Sequence, residues 1–220
     1  MINYPSIVKY INSEIVNNNE LYVYLEYMPC SLKKIINDSA DGVLEEKVIK
    51  KYCREILQAL TYLHCKGIVH RDIKTENILI DNNGQIRLSD FSCSSILSRD
   101  NKDEGINQME QSEFLESIKG TILWMAPEVI NQKKYGRKAD IWSFGCTVLE
   151  MLTGKNPWSN LQIDNYIQAL YQIGKSELNP DYPETISEDL KNFLDCCLTR
   201  NYKERANTKD LLSHPFLKEY

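Results

Sequence analysis

The chain has 220 residues, of which 42% are hydrophobic and 26% charged, a composition that supports a soluble globular protein of one or two domains and excludes a disordered one. A net charge of -5 gives no electrostatic footing for nucleic acid or an anionic membrane surface, so neither is expected as a partner. No segment has the basic start, apolar run and cleavage site of a secretion signal. The most apolar stretch, Ile141 to Leu152, is too short for a membrane span and contains Glu150, so a cytoplasmic location is expected.

Residues Ile7 to Ile15 and Leu21 to Met28 alternate apolar and polar character around Asn17-Asn18-Asn19, which predicts an antiparallel hairpin ending near Pro29. Leu44 to His64 places Val48, Tyr52, Ile56, Leu60 and Leu63 at three- and four-residue steps, the pattern of a helix with one core-facing stripe. Seven cysteines, an odd count without a Cys-x-x-Cys pair, predict reduced thiols packed as small hydrophobes. The three histidines lie far apart in the chain, so zinc is not expected.

The most informative stretch is His70-Arg71-Asp72-Ile73-Lys74-Thr75-Glu76-Asn77, followed by Asp90-Phe91-Ser92. Between them, Ile78-Leu79-Ile80, the turn Asp81-Asn82-Asn83-Gly84 and Gln85-Ile86-Arg87-Leu88 predict a second hairpin that brings Asn77 and Asp90 together. Phosphoryl transfer needs a carboxylate to orient a hydroxyl nucleophile and oxygen ligands to hold magnesium on the phosphates. Asp72, Asn77 and Asp90 supply such a set. Either motif alone is a common surface sequence; their order, the hairpin between them and Ala126-Pro127-Glu128 beyond make the combination specific.

After Phe91 the chain turns polar for about twenty-five residues, with Ser94, Ser95, Ser98, Ser112 and Ser117 among charges, before Gly120-Thr121. Asp140-Ile141-Trp142-Ser143-Phe144-Gly145 opens an apolar helix that stops at Gly154. Further helical patterns cover Leu161 to Ile173, Ser187 to Leu198 and Thr208 to Leu212, and no internal repeat is visible.

With these motifs in this order the chain resembles the eukaryotic protein kinases, from Tyr4-Pro5-Ser6-Ile7-Val8 to His214-Pro215-Phe216. Gly120-Thr121-Ile122-Leu123-Trp124-Met125-Ala126-Pro127-Glu128 is most similar to serine/threonine kinases of the mitogen-activated protein kinase kinase kinase type. The resemblance implies an α+β fold with a mainly helical large lobe (29–220) and a two-stranded remnant of the small lobe with its hinge (1–28). It implies ATP and Mg2+ as cofactors, a protein substrate such as a downstream kinase, and activation by an upstream kinase or by autophosphorylation.

Residue by residue, the resemblance makes Asp72 the orienter or proton acceptor for the substrate hydroxyl and Lys74 a neutraliser of γ-phosphate charge, with Thr121 binding both. Asn77 and Asp90 would ligate magnesium. Leu25 matches the gatekeeper, Glu26 and Met28 the hinge, Ser31 a further nucleotide-side position and Leu79 the floor under adenine. Arg71 would pair with a phosphate on the polar segment, at Ser112 or Ser117, of which Ser117 ranks higher because it lies three residues before Gly120. Glu128 and Arg205 match a buried ion pair, and Asp140 the residue that holds the catalytic loop.

Three departures qualify the likeness. The first glycine is Gly42 and the only lysine before Lys33 is Lys9, so neither a glycine-rich phosphate lid nor its partner strand lysine can be placed. The first three strands and the regulatory helix are therefore expected to be absent from these residues, leaving an exposed edge and an uncovered apolar face. Ser92 stands where the family has glycine. The expected function is that of a serine/threonine kinase in a mitogen-activated cascade, represented by an N-terminally incomplete domain; the alternative is a catalytically impaired kinase-like scaffold or binding protein.

Overall fold

The structure is a computed structural model that describes residues 2–17, 20–97, 122–133, 135–161, 163, 165–175 and 177–218. The first expected hairpin forms from β1 (Tyr10–Val16) and β2 (Glu20–Leu25), antiparallel, with Ser13 opposite Val23 and Ile15 opposite Leu21. Period-two geometry sorts its side chains by face. Ile15, Leu21, Val23 and Leu25 share one face, while Glu14, Tyr22 and Tyr24 share the other. Neither face is covered: Ile15 is 72% and Leu21 66% exposed. β1 starts later than its alternation predicts because Ile7 is taken by a different strand. It forms a parallel bridge to Leu88, with Val8 N–H donating to the Leu88 carbonyl at 3.0 Å and Leu88 N–H to that of Ser6 at 2.9 Å.

Below the ribbon lies a helical body. A short β3 (Cys30–Ser31) leads into α1 (Leu32–Asp38), then α2 (Glu46–Cys65) and β4 (Ile68–Val69). β5 (Ile78–Ile80) and β6 (Ile86–Leu88) make the second expected hairpin, β3 pairs with β5, and β4 pairs with β7 (Ser95–Ile96). Then come α3 (Pro127–Ile130), α4 (Arg137–Thr153), α5 (Tyr166–Gly174), α6 (Glu188–Cys197) and α7 (Thr208–Leu212). α5 begins at Tyr166 and not at Leu161 because the Asn165 side chain accepts the Gln168 N–H and caps the helix there.

α2 packs against α4, α7 and β6 through Ile49, Tyr52, Cys53, Ile56, Leu57, Leu60 and Leu63. Val48 is only half-buried, and Ile49 takes the core position at that end of the stripe. α4 is buried from Ala139 to Met151 on every side, as befits a helix without a polar face. It ends at Gly154, whose φ of +66° is the left-handed C-cap conformation, and a Cβ there would lie 2.0 Å from the Gly42 carbonyl oxygen. Both facts require glycine. Among the described residues no helix is long and apolar enough to cross a membrane.

All seven cysteines are free, but only Cys53, Cys146 and Cys197 are buried. Cys30, Cys93 and Cys196 are half-exposed and Cys65 is exposed; Cys30 and Cys196 still pack against the core, so packing as a small hydrophobe describes five of the seven and fails for Cys65 and Cys93. Exposure follows position: Cys65 ends α2, at a helix terminus with little to pack against.

One buried ion pair joins α3 to the segment just before α7. Arg205, 0% exposed, meets Glu128 of α3 fork to fork, with Nη1 donating to Oε1 at 2.7 Å and Nη2 to Oε2 at 3.0 Å. The guanidinium also donates to the carbonyls of Lys138 at 2.6 Å and Thr199 at 2.8 Å, so its desolvation is offset on all sides. Truncating Arg205→Ala leaves Glu128 charged and unpaired, a loss of about 3–5 kcal/mol. The melting temperature is expected to fall by roughly 6–20 °C, measured by circular dichroism on the 220-residue chain.

Candidate active site

The loop from His70 to Asn77 is suspended from a single buried carboxylate. Asp140, near the start of α4 and 0% exposed, accepts the Arg71 N–H on Oδ1 at 2.8 Å and the His70 N–H on Oδ2 at 2.9 Å. Its Oδ2 also lies 2.8 Å from His64 Nε2. Burial alone would push the Asp140 carboxyl up, but His64, His70 and the Arg71 N–H outweigh it and hold the group below the ordinary carboxylate range. The anchor is needed because Arg71 has φ +74°, a left-handed conformation that disfavours a side chain.

His70 completes the frame. Its Nε2 lies 2.9 Å from the Ser89 carbonyl, which only accepts, so Nε2 carries the proton and Nδ1 accepts the Asp72 N–H at 3.3 Å. Complete burial lowers the His70 pKa and keeps the ring neutral, against the opposing pull of Asp140. Phe91 packs on this ring with centroids 4.8 Å apart.

On that frame Asp72 has one occupied and one open oxygen. Oδ2 accepts Asn77 Nδ2 at 2.7 Å and Lys74 Nζ at 3.0 Å, and Asn77 Nδ2 reaches the Asp72 carbonyl as well, at 2.9 Å. Oδ1 is buried and has no hydrogen-bond partner among the described residues, which is costly unless a donor arrives. The Asn77 amide nitrogen is thus spent on Asp72, leaving its oxygen free to ligate. The hairpin ties Asn77 to the second motif, since both the N–H and the hydroxyl of Ser89 donate to the Asn77 carbonyl, at 2.9 and 2.8 Å.

Asp90, next along, is exposed and adopts φ +58°. Its Oδ1 accepts the Ser92 hydroxyl at 2.6 Å and the Ser92 N–H at 3.2 Å. Partial burial raises its pKa, but the two Ser92 bonds, His70 and Lys74 prevail and keep it ionised below the usual range. Asn77 and Asp90 fit magnesium in donor chemistry, one neutral amide oxygen and one carboxylate, a set that leaves most positions to phosphate oxygens and water. Among the described residues no cluster of three or more His, Cys, Asp or Glu could enclose a metal by itself.

The nucleotide-side residues lie along the junction of ribbon and body. Leu25 is 48% exposed at the end of β2, Met28 is half-buried, and Leu79 is half-buried in β5 opposite Ser31. The Ser31 hydroxyl is engaged locally, accepting the Lys34 N–H at 3.3 Å as the N-cap of α1. The Glu26 carboxylate accepts the Lys9 N–H at 2.7 Å, and Arg87 approaches the same oxygen at 3.5 Å. Thr121, Ser98, Ser112 and Ser117 lie outside the described residues.

Three contributors escaped the reading of local pattern. His64 sits on the same helix as the core stripe and differs from it only in chemistry. Ser92 carries the hydroxyl that binds Asp90. Glu150 announced itself as a charge in an apolar run: it is 0% exposed and pairs with Lys33 Nζ at 2.5 Å, while burial raises its pKa against that partner's pull. An acid in a buried stretch of helix predicts a partner from elsewhere in the chain, although not which one.

Comparison with known proteins identifies the family. The protein kinase domain model matches residues 1–217. The chain is 42% identical over 217 residues to mitogen-activated protein kinase kinase kinase A of Dictyostelium discoideum, covering 98% of this chain and 21% of that protein. It is equally 42% identical to mitogen-activated protein kinase kinase kinase 3 of Arabidopsis thaliana, covering 98% of this chain and 33% of that protein. Mitogen-activated protein kinase kinase kinase 19 of Mus musculus matches at 42% over 99% of this chain and 16% of its own length. The chain therefore belongs to the protein kinase family, and it spans a third or less of these relatives.

The neutral, buried His70 has a measurable consequence. Its pKa is lower folded than unfolded, so the unfolded chain binds the extra proton first; stability is full above the unfolded value of about 6.5 and falls as pH drops below it. Asp140, also depressed, adds a second loss only below the unfolded carboxylate value of about 4. The urea midpoint is expected to fall between about pH 7.5 and about pH 5, and to fall less in His70→Gln, which cannot take up the proton.

Proposed function

We propose that this chain carries the magnesium and hydroxyl side of a serine/threonine protein kinase site, transferring the γ-phosphoryl group of ATP to a protein hydroxyl. The observation that carries the proposal is the buried Oδ1 of Asp72, without a partner among the described residues, beside an Oδ2 pinned by Asn77 and Lys74. A substrate Ser or Thr hydroxyl donating to Oδ1 would satisfy that oxygen and aim its own oxygen at the phosphorus. The new O–P bond forms as the bond to the bridging oxygen of ADP breaks, and the hydroxyl proton passes to Asp72. Lys74, already against Asp72, neutralises charge on the transferring group. Magnesium at Asn77 and Asp90 would supply charge neutralisation on the phosphate oxygens.

In this reading residues 1–28 are a small-lobe remnant with the hinge and 29–220 the large lobe, with adenine between Leu25, the Glu26–Met28 backbone, Ser31 and Leu79. Thr121 would bind Asp72 and Lys74, and Arg71 would receive a phosphate placed on Ser117 or Ser112 by an upstream kinase or by the chain itself. The names of the relatives support a place in a mitogen-activated cascade, in the cytoplasm, with another kinase as substrate. Glu128, Arg205 and Asp140 are the bracing residues.

A binding or scaffold role without phosphate transfer is the second reading. One assay separates them. Magnesium-dependent phosphate transfer by the 220-residue chain should fall about 10²- to 10⁴-fold in Asp72→Asn, with MgATP binding retained. Binding of MgATP without transfer by the parent chain would select the scaffold reading, and equal transfer by both proteins would remove Asp72 from the mechanism.

A further inference from the structure

Position 92 departs from the family's glycine, and the structure shows what the serine does there. The backbone at 92 is not left-handed; among Asp90, Phe91 and Ser92 the positive φ falls on Asp90, so a side chain at 92 carries no conformational penalty. The strain sits on Asp90, an exposed residue at φ +58°, which needs something to hold it. Phe91, packed on His70, fixes the following residue. Ser92 supplies the remaining restraint with two donors on one oxygen, the hydroxyl at 2.6 Å and the N–H at 3.2 Å from Asp90 Oδ1.

We propose that Ser92 is a positioning residue for the metal-binding carboxylate: its hydroxyl clamps Asp90 Oδ1, fixes the rotamer and leaves Oδ2 as the single oxygen presented to the metal. A glycine at 92 offers only the N–H and restores backbone freedom, so the clamp is a property of this chain's own sequence. Charge-assisted O–H···O⁻ bonds are the short and strong kind, and the 2.6 Å separation falls in that range. The consequence is a carboxylate whose Oδ1 is held by Ser92 before any ligand arrives. The metal part of this inference rests on the kinase reading above; the clamp itself does not.

Two measurements on the whole 220-residue chain test it. The first is ligand-free hydrogen exchange over Phe91 to Cys93. Ser92→Ala and Ser92→Gly should exchange about five- to tenfold faster than the parent, while Ser92→Thr, which keeps the hydroxyl, should match it. The second is calorimetric affinity for a non-hydrolysable ATP analogue with and without Mn2+. Loss of the hydroxyl should weaken the metal-dependent affinity about five- to tenfold and leave metal-free affinity unchanged, with Ser92→Thr restoring it.

Equal exchange in all four proteins overturns the clamp. Faster exchange with unchanged metal-dependent affinity, or an equal drop in metal-free affinity, overturns the positioning role and reduces Ser92 to a turn residue. A parent chain without any metal-dependent affinity overturns the kinase reading, and the exchange measurement then still decides the clamp.

Discussion

The loop from His70 to Asn77 is referenced to the Asp140 carboxylate. Burying an anion is costly unless its oxygens are saturated, and this one is saturated by groups that matter: the N–H of His70, the N–H of Arg71 and the His64 ring. The same bonds that solvate the charge therefore dictate where the loop runs and permit the left-handed Arg71. Because α4 is buried on all sides from Ala139 to Met151, the anchor cannot shift without moving the core. A mobile-looking loop is thereby hung on the most rigid element of the fold, which suits a site that must hold its geometry before substrate binds.

Three aspartates show how one side chain takes three jobs through environment alone. Asp140 is buried and saturated, so its charge serves structure. Asp72 is buried but half-saturated among the described residues, with a pinned Oδ2 and a bare Oδ1, so it has room for one further donor. Asp90 is exposed, with Oδ1 occupied by Ser92 and its negative charge favoured by Lys74 and His70, as suits a ligand for a cation. Composition cannot distinguish them. Only the count of donors around each oxygen does.

What was legible in the sequence was what is local. The His70–Asn77 and Asp90–Ser92 motifs, both hairpins, the α2 stripe and the stop at Gly154 each depend on residues within a few positions of one another. Partnerships across the chain were readable only where the family resemblance supplied them, as for Glu128 with Arg205. His64 with Asp140 spans 76 residues and Lys33 with Glu150 spans 117, and no periodicity links such pairs. The same reason explains the displaced start of β1: Ile7 alternates correctly with its neighbours, yet its backbone partner is Leu88, on a strand far along the chain. The cysteines erred differently, because residue type predicts average burial while position along a helix decides the individual case.

The weakly buried ribbon is tied to the Asp90 segment by β6. Its base is joined to β6 through Val8 and Ser6 on either side of Leu88, and the end of β2 through Glu26, which holds Lys9 and faces Arg87 of β6. The Arg87 guanidinium also reaches the Pro5 carbonyl at 2.5 Å and lies 3.7 Å from Asp81 in the hairpin turn. β6 then runs directly into Ser89 and Asp90. The residues that would face adenine and the carboxylate that would face magnesium thus share a single reference strand, and their separation is set by the register of β6 more than by the ribbon's own packing. A two-stranded ribbon is marginal by itself; what fixes its place is the strand beneath it, so a disturbance at Arg87 or Leu88 would reach both ends of a bound nucleotide at once.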